Sequence, residues 1–231
     1  MARLVLWDID HTLISTRGVG RDLSAAAFHR TLGVEMRKQA AIDGITEPVI
    51  FRETAKLHGL ATSRADFERF AQALAEEHLT RSAELRERGH ALPGAAAALD
   101  ALASSPGVTQ TVVTGNVRAA GEIKLTVFGL DRHILWDVGA YGEDADDRAD
   151  LVRLSLERAG FAARDAVLIG DTPADVKGGR AHGVYVIAVA TGKSSAATLR
   201  DSGANTVLPD LRDTNSLVNA VLNGTAAPIT E

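Results

Sequence analysis

Asp8 and Asp10 are two carboxylates one residue apart, and they follow a short apolar segment at residues 4–7. The apolar segment predicts a buried β-strand. Because side chains alternate along an extended chain, both aspartates lie on the same side of the backbone where the strand ends. Two like charges at such a place repel each other unless a metal ion or a substrate uses them. The pair therefore predicts a site at the carboxyl end of this strand.

Polar residues also follow two later apolar segments of the chain. Thr114, Gly115 and Asn116 follow one of them, and Asp171 and Asp175 follow another. In open α/β sheets, ligands bind beyond the carboxyl ends of the strands. We therefore expect these residues to converge with Asp8 and Asp10 on one crevice.

The expected crevice combines several acids with a loop that can bind an anion. Four carboxylates in one place require a cation, and oxygen ligands suit Mg²⁺, which proteins usually hold with few carboxylates and a substrate phosphate. The Thr114 hydroxyl and the backbone N–H groups of Gly115 and Asn116, at the start of a helix, form a cradle for an anion. A carboxylate nucleophile, a second acid, a metal ion and this cradle together indicate covalent phosphoryl transfer.

The first half of the chain predicts a helical block behind the first strand. Residues 21–89 show helical spacing of apolar residues and no convincing strand. A block of this kind, inserted directly after a first strand, predicts a separate helical subdomain. The helices that we predict in it are 23–32, 48–58 and 64–88, the last capped by Ser63 and Asp66.

The second half of the chain, from residue 93, alternates between predicted strands and helices. This alternation predicts a parallel sheet that is covered by helices on both faces, which is the α/β class. The predicted strands are 109–113, 134–138, 166–169, 185–189 and 206–208. The predicted helices are 95–104, 117–128, 149–159, 174–182, 195–202 and 214–222.

The composition is that of an ordinary globular protein, with 45% hydrophobic and 24% charged residues. A net charge of −5 and the absence of a Lys or Arg run argue against nucleic acid as a partner. The absence of cysteine excludes disulfides and thiolate chemistry. With no signal peptide or membrane span recognisable, we expect a cytoplasmic location, no membrane partner, and a monomer or homodimer.

Three segments of the chain resemble motifs I, II and IV of the haloacid dehalogenase (HAD) superfamily. They are residues 8–13, 113–116 and 170–175, with the sequences DIDHTL, VTGN and GDTPAD. The helical block resembles the C1 cap of phosphoglycolate phosphatase-like members. This resemblance implies a Rossmann-like doubly wound parallel sheet core at residues 1–15 and 93–231, with an inserted α-helical cap at residues 16–92.

The resemblance also implies roles for the site residues. Asp8 is expected to be the nucleophile that becomes an aspartyl phosphate, and Asp10 to protonate the leaving alkoxide and then activate water. Thr114 is expected to bind the transferring phosphoryl group. The expected Mg²⁺ ligands are the Asp8 carboxylate, the Asp10 backbone carbonyl and Asp171, with Asp175 in support.

The third motif of the family, which supplies a Lys or Arg, has two candidates in this sequence. Arg148 lies at the start of the helix that precedes the strand before Asp171, although about two residues from the usual position. Lys124 is the alternative, but a helix rise of about 1.5 Å per residue would place it on the order of 12 Å from the crevice. Arg148 is our choice, and the alternative stays open.

Further residues of the sequence have weaker signals. His11 stands where phosphatases of this family usually have Gly, which would bring an imidazole near the entrance of the cap. Arg52 follows the loop 43–47, where such caps place a specificity loop; it either reads an anionic substrate or pairs with a glutamate on its own helix. The other histidines show no ligand spacing and are interpreted as surface or packing residues.

The leading functional hypothesis is a Mg²⁺-dependent phosphatase that acts on a small phosphorylated metabolite. A phosphomutase of the β-phosphoglucomutase type shares all of these motifs and is the nearest alternative. A phospho-accepting receiver domain also pairs strand-end acids with a Thr and a basic residue, but the helical insert and residues 170–175 argue against it.

Overall fold

The computed structural model describes residues 2–225 of the chain. Its strands are β1 (Arg3–Trp7), β2 (Ile14–Ser15), β3 (His90–Ala91), β4 (Val108–Val112), β5 (Ala166–Gly170), β6 (Tyr185–Val189) and β7 (Thr206–Leu208). Its helices are α1 (Val19–Leu32), α2 (Glu47–Leu57), α3 (Arg64–Thr80), α4 (Ser82–Arg88), α5 (Ala95–Ala103), α6 (Arg118–Val127), α7 (Arg148–Ala159), α8 (Pro173–Ala181), α9 (Ala196–Asp201) and α10 (Thr214–Asn223). No helix within residues 2–225 is long and apolar enough to cross a membrane.

Five strands form one parallel sheet in the order β4-β1-β5-β6-β7. In the register of this sheet, Trp7 at the end of β1 lies beside Val112 of β4 and Ile169 of β5. The three strands therefore end at the same edge. Because each is followed directly by polar residues of the sequence, those residues are brought to one place.

Helices cover both faces of the sheet, as the α/β prediction requires. Val5 and Trp7 of β1 belong to an apolar cluster that includes residues of α5 and α10. Leu4 and Leu6 belong to a second cluster, on the opposite face, that includes residues of α7, α8 and α9. The alternation of side chains along β1 thus explains why this short segment is apolar throughout. The fold prediction is confirmed.

The helices α1 to α4 form a third apolar cluster around four aromatic rings. These rings are Phe28, Phe51, Phe67 and Phe70, and the cluster also takes in Val117 and Ala120 at the start of α6. The chain leaves and rejoins the sheet region through the antiparallel pair β2 and β3. The helical block therefore begins and ends at one point, as expected of an insertion; the proposed limits of the cap, residues 16–92, stay a prediction.

Two details of the predicted elements are wrong. The predicted strand 134–138 contains a 3₁₀-helix, Trp136–Val138, and only one isolated parallel bridge, Val113 to Ala140, forms nearby. This segment cannot be a buried strand, because Leu135 within it is 49% exposed. The predicted helix 64–88 is interrupted at Arg81, whose φ of −103° and ψ of 24° turn the chain between α3 and α4. No Gly or Pro marks this interruption in the sequence.

Candidate active site

Asp8 lies at the end of β1, where its carboxylate is buried and paired with the guanidinium of Arg148. The Asp8 backbone N–H donates to the Ile169 carbonyl of the neighbouring strand β5 at 2.9 Å, and this hydrogen bond fixes Asp8 at the edge of the sheet. Arg148, the first residue of α7, donates from Nη2 to Asp8 Oδ1 at 2.8 Å and from Nη1 to the Val113 carbonyl at 3.1 Å. Both charged side chains are 7% exposed. The structure places Arg148, our choice for the third-motif cation, beside Asp8, and its catalytic role stays a prediction.

Three buried carboxylates meet around this guanidinium. Oxygen atoms of Asp8, Asp171 and Asp175 all lie within 4.8 Å of one another. Arg148 Nη2 is 2.9 Å from Asp175 Oδ1, an ion pair whose angles do not make a hydrogen bond. Burial raises the pKa of Asp8, and Arg148 opposes that rise while Asp175 adds to it. Burial and repulsion by Asp8 likewise raise the pKa of Asp171. One guanidinium does not balance three acids, so the cluster favours a further cation.

Local structure at the start of α8 orients Asp175 within this cluster. Thr172 is the N-cap of α8, and Asp175 accepts from the Thr172 backbone N–H at 3.0 Å and from its hydroxyl at 2.7 Å through Oδ2. This capping box leaves Oδ1 facing Arg148. Thr12 completes the cluster, because its hydroxyl lies 3.4 Å from oxygens of both Asp8 and Asp171. The role of Thr12 was not foreseen from the sequence.

Asp10 has a different environment from Asp8, although only one residue separates them. Lys124 Nζ lies 2.7 Å from Asp10 Oδ2 and 3.0 Å from Oδ1, and Asn116 Nδ2 donates to Oδ2 at 2.7 Å. Burial alone would raise the pKa of Asp10, but the ion pair with Lys124 and the hydrogen bond from Asn116 lower it below its usual value. Asp10 is therefore held as a carboxylate.

The sequence-based estimate that Lys124 lies on the order of 12 Å from the crevice is wrong. The estimate took α6 to run directly away from the site over ten residues. In the structure α6 begins only at Arg118, and Lys124 lies in its second turn with its ammonium 2.6 Å from the Asn116 side-chain oxygen. Helical side chains lean toward the N-terminus of their helix, so this long side chain reaches back to the sheet edge. Both cation candidates thus reach the site, each at a different aspartate.

The loop after β4 forms a hydrogen-bonded network rather than a set of free donors. Thr114 Oγ1 accepts from the Asn116 backbone N–H at 3.2 Å and from its side-chain Nδ2 at 2.8 Å. The predicted anion cradle stays a prediction, and within the described chain the N–H groups of Gly115 and Val117 in this loop have no hydrogen-bond partner. A Cβ on Gly115 would lie 2.4 Å from the Ile45 carbonyl, so only Gly allows the helical block to approach here.

The remaining predicted residues divide between the cavity and the surface. His11 lines the cavity with a φ of 63°, a left-handed conformation in which Gly is the usual residue. Arg52 does not line it: its guanidinium, in a side chain that is 42% exposed, pairs with Asp146 at 2.9 Å and more distantly with Glu53. The partner Asp146 was not foreseen, because it lies 94 residues away along the chain.

Two further residues, Glu47 and His78, line the same cavity from the helical block. The cavity has a volume of about 140 Å³, which suits a small molecule. The sequence places Glu47 in the 43–47 loop as a possible partner of Arg52, and it indicates a surface or packing role for His78. A histidine within an apolar helical pattern was the one signal available for His78, and it does not distinguish packing from binding.

The strand order, the position of the acids and the helical block define a class of enzymes. The sequence matches the model of the haloacid dehalogenase-like hydrolase family over residues 5–180, and a second model, of HAD-hydrolase-like proteins, over residues 148–214. The chain belongs to the haloacid dehalogenase-like hydrolases, as the resemblance of its motifs implied. Membership of this family decides against the receiver-like alternative.

Comparison with individual proteins identifies relatives that are similar in sequence or in fold. It is 27% identical to a phosphoglycolate phosphatase of Pseudomonas fluorescens, in an alignment that covers all of this chain and 83% of that protein. Its fold is similar to that of a hydrolase from Pseudomonas syringae, with a TM-score of 0.69 and 19% identity over 96% of this chain and 99% of the other. It is also similar in fold to a protein from Bacteroides vulgatus assigned as a β-phosphoglucomutase, with a TM-score of 0.64 and 20% identity over 96% and 89% of the two chains.

Proposed function

We propose that the protein is a Mg²⁺-dependent phosphatase that hydrolyses a small phosphorylated metabolite through an aspartyl phosphate on Asp8, with Asp10 as general acid and base. One observation carries this proposal: the two neighbouring aspartates have separate environments. Asp8 lies among other carboxylates beside Arg148, whereas Asp10 pairs with Lys124 and Asn116. Two carboxylates whose surroundings differ in this way are suited to different roles in one reaction.

The proposed reaction has two displacements at phosphorus. In the first, an Asp8 oxygen forms a bond to phosphorus, the ester bond breaks, and the leaving alkoxide takes a proton from Asp10. In the second, water attacks phosphorus, gives a proton to Asp10, and the bond to Asp8 breaks to release phosphate. Ionised Asp10 is the form that the second step needs. The neutral form for the first step becomes accessible when the phosphoryl group competes with Asp10 for Lys124.

The donor set fits a hard divalent cation. Its close oxygen atoms belong to Asp8, Asp171 and Asp175, and Arg148 balances only part of their charge. A bound Mg²⁺ would neutralise these acids and the charge of a phosphoryl group. Arg148 would orient Asp8, and Asp175 would help to hold Arg148 through the same Nη2 atom.

Contacts between the helical block and the loops at the strand ends support the idea that bulk water is excluded from the cavity during this reaction. The Glu47 backbone N–H donates to the Gly115 carbonyl at 2.8 Å, and the Thr46 hydroxyl donates to the Asp146 carbonyl at 3.1 Å. Lys193 in the loop after β6 pairs with Asp43 at 3.0 Å. These contacts hold the 43–47 loop over the strand ends. A closed cavity strengthens the electrostatic interactions within it.

The similarity to the Pseudomonas fluorescens phosphoglycolate phosphatase supports both the phosphatase activity and a small phosphorylated substrate, since it extends over the whole chain. At 27% identity, however, the substrate of that relative is not transferred to this protein. The phosphomutase alternative shares the fold and the core residues and is distinguished by experiment.

Hydrolysis of p-nitrophenyl phosphate tests the proposal. We expect the wild-type protein to release p-nitrophenol with Mg²⁺ and not with EDTA. Asp8→Asn should lower kcat by more than about a thousandfold, because it removes the nucleophile. Asp201→Asn, at an exposed residue of α9, is the matched control and should retain activity. Isomerisation of a sugar phosphate without hydrolysis of any phosphomonoester would show a mutase instead.

A further inference from the structure

Two polar atoms of the helical block are buried at the cavity without a hydrogen-bond partner. They are Oε2 of Glu47 and Nε2 of His78. Both residues line the cavity that also contains Asp8 and Asp10, and His78 is only 2% exposed. Buried polar groups are almost always hydrogen-bonded, and leaving one unpaired destabilises the folded state. Two such atoms in one cavity indicate that a ligand pairs with them.

A hydrogen bond within α3 determines which ring nitrogen of His78 carries the proton. His78 Nδ1 lies 2.8 Å from the Leu74 carbonyl oxygen, which can only accept, so Nδ1 carries the proton. Burial and the nearby Lys124 lower the pKa of His78 to about 4, so the ring is neutral at neutral pH. In this tautomer Nε2 has a free lone pair. His78 therefore offers an acceptor to the cavity and no donor.

Glu47 presents its unpaired Oε2 to the same cavity, and this oxygen accepts a hydrogen bond when the carboxyl is ionised. Burial raises the pKa of Glu47 to about 7, with Lys124 opposing the rise and Asp10 adding to it. Glu47 and His78 line the same cavity as Lys124 and Asp10, the ion pair of the proposed acid and base. In the proposed reaction, this is the side on which the leaving alcohol lies.

The charged groups around Glu47 and His78 restrict which functional groups the leaving alcohol can carry. A carboxylate there would face Asp10, the ionised Glu47 carboxylate and the His78 lone pair, which repel it, while the ammonium of Lys124 is already paired with Asp10. An ammonium group would be attracted by Asp10 and Glu47 but repelled by the ammonium of Lys124, so it would compete with Lys124 for Asp10. A hydroxyl group donates a hydrogen bond to either acceptor without adding a charge.

We propose that Glu47 and His78 form an acceptor pair that binds hydroxyl groups of the leaving alcohol, so that the substrate is a phosphate monoester of a polyhydroxy alcohol. The inference rests on the proposed function and names the substrate class of that site. It separates this protein from a phosphatase whose substrate carries a carboxylate at the same distance from phosphorus.

Three phosphate esters of similar size test the substrate class. They are glycerol 3-phosphate with hydroxyls, 2-phosphoglycolate with a carboxylate, and O-phosphoethanolamine with an ammonium group. We expect kcat/KM for glycerol 3-phosphate to exceed the other two by about tenfold or more, as a site built to pair with hydroxyls discriminates against groups that leave its acceptors unpaired. Each ester is also measured as a competitive inhibitor of p-nitrophenyl phosphate hydrolysis, which ranks binding separately from turnover.

Glu47→Gln and His78→Phe test the residues themselves. Each should lower the ratio of kcat/KM for glycerol 3-phosphate to kcat/KM for p-nitrophenyl phosphate about tenfold, mainly through KM, because the aryl ester has no hydroxyl to lose. Glu53→Gln is the matched control on α2, at a side chain that is 42% exposed, and should leave the ratio unchanged. Thermal unfolding shows whether His78→Phe is folded, and Glu47→Gln keeps the test valid if it is not.

The outcomes separate this inference from the proposed function. A preference for 2-phosphoglycolate or O-phosphoethanolamine would overturn the inference and leave the phosphatase proposal intact, as would an unchanged substrate ratio in both variants. Failure of the wild-type protein to hydrolyse p-nitrophenyl phosphate with Mg²⁺ would overturn both.

Discussion

Lys124 and Arg148 are two cations that give the neighbouring aspartates Asp8 and Asp10 different electrostatic environments. Arg148 contacts Asp8 and the carboxylate cluster, and Lys124 contacts Asp10. The sequence left open which of the two supplies the basic residue of the family's third motif. The geometry favours Arg148 for the charge on Asp8, and gives Lys124 a separate effect on the proton affinity of Asp10.

Replacement of Lys124 by Met tests this effect. Lys124 lowers the pKa of Asp10, so its loss should raise that pKa, and the carboxylate form needed to activate water should then disappear at a higher pH. We expect the acidic limb of the kcat profile to move to higher pH, with kcat at neutral pH lower by about tenfold or more.

The pH profile of p-nitrophenyl phosphate hydrolysis provides the measurement. Lys177→Met, at an exposed lysine of α8, is the control and should keep the wild-type profile. An acidic limb that stays in place in Lys124→Met would mean that Lys124 does not set the proton affinity of Asp10.

At the scale of elements, the site depends on how closely the 43–47 loop approaches α8. Gly44 has a φ of +71°, and a Cβ at this position would lie 2.5 Å from the Ala174 Cβ and 2.9 Å from the Thr172 hydroxyl. The Thr172 side chain already caps α8 together with Asp175, so it has little freedom to move away. The approach therefore requires Gly for both conformation and space.

Gly44→Ala should displace the loop from the strand ends. We expect kcat/KM to fall by about tenfold or more, because misplacement of a group that closes an active site is costly to the rate. Gly59→Ala is a closely matched control, since Gly59 has a φ of +73° and no atom within 4 Å of an added Cβ. Similar kinetics in the two variants would show that loop docking does not limit the reaction.

At the scale of the whole molecule, we expect the carboxylate cluster to make the stability of the fold depend on a bound metal ion. Burial and neighbouring acids raise the pKa of Asp171, so keeping it ionised at neutral pH costs free energy of folding. A cation that binds the folded state removes this cost. A ligand present at one hundred times its Kd stabilises the folded state by about 2.7 kcal/mol, or roughly 5–11 °C in Tm for a protein of this size.

Asp171→Asn should reverse the effect of metal on stability. Without Mg²⁺ the variant should unfold at a higher temperature than the wild-type protein, because one of the repelling charges is gone. With Mg²⁺ the order should invert, since the variant has lost a ligand. Thermal unfolding in EDTA and in Mg²⁺ measures this crossover. If the variant gains as much stability from Mg²⁺ as the wild-type protein does, Asp171 is not a ligand of the ion.

Much of the architecture was predictable from local patterns. The apolar strands, the Ser63 and Asp66 capping box of α3, and the alternation after residue 93 all reappear in the structure. The exceptions are informative. The segment 134–138 has the composition of a strand, but Leu135 is exposed and the chain turns into a 3₁₀-helix instead. Apolar composition alone does not state whether a segment joins the sheet.

The sequence by itself determined that acids stand at the ends of parallel strands and indicated phosphoryl transfer as their chemistry, because strand ends and residue types are local properties. Only the tertiary structure decided the partner of each acid. Lys124 reaches Asp10 because its long side chain leans back toward the start of α6, and Arg148 at the start of α7 reaches both Asp8 at the end of β1 and Asp175 in α8. Glu47 and His78 enter the cavity from the helical block, at a distance along the chain that no local spacing encodes.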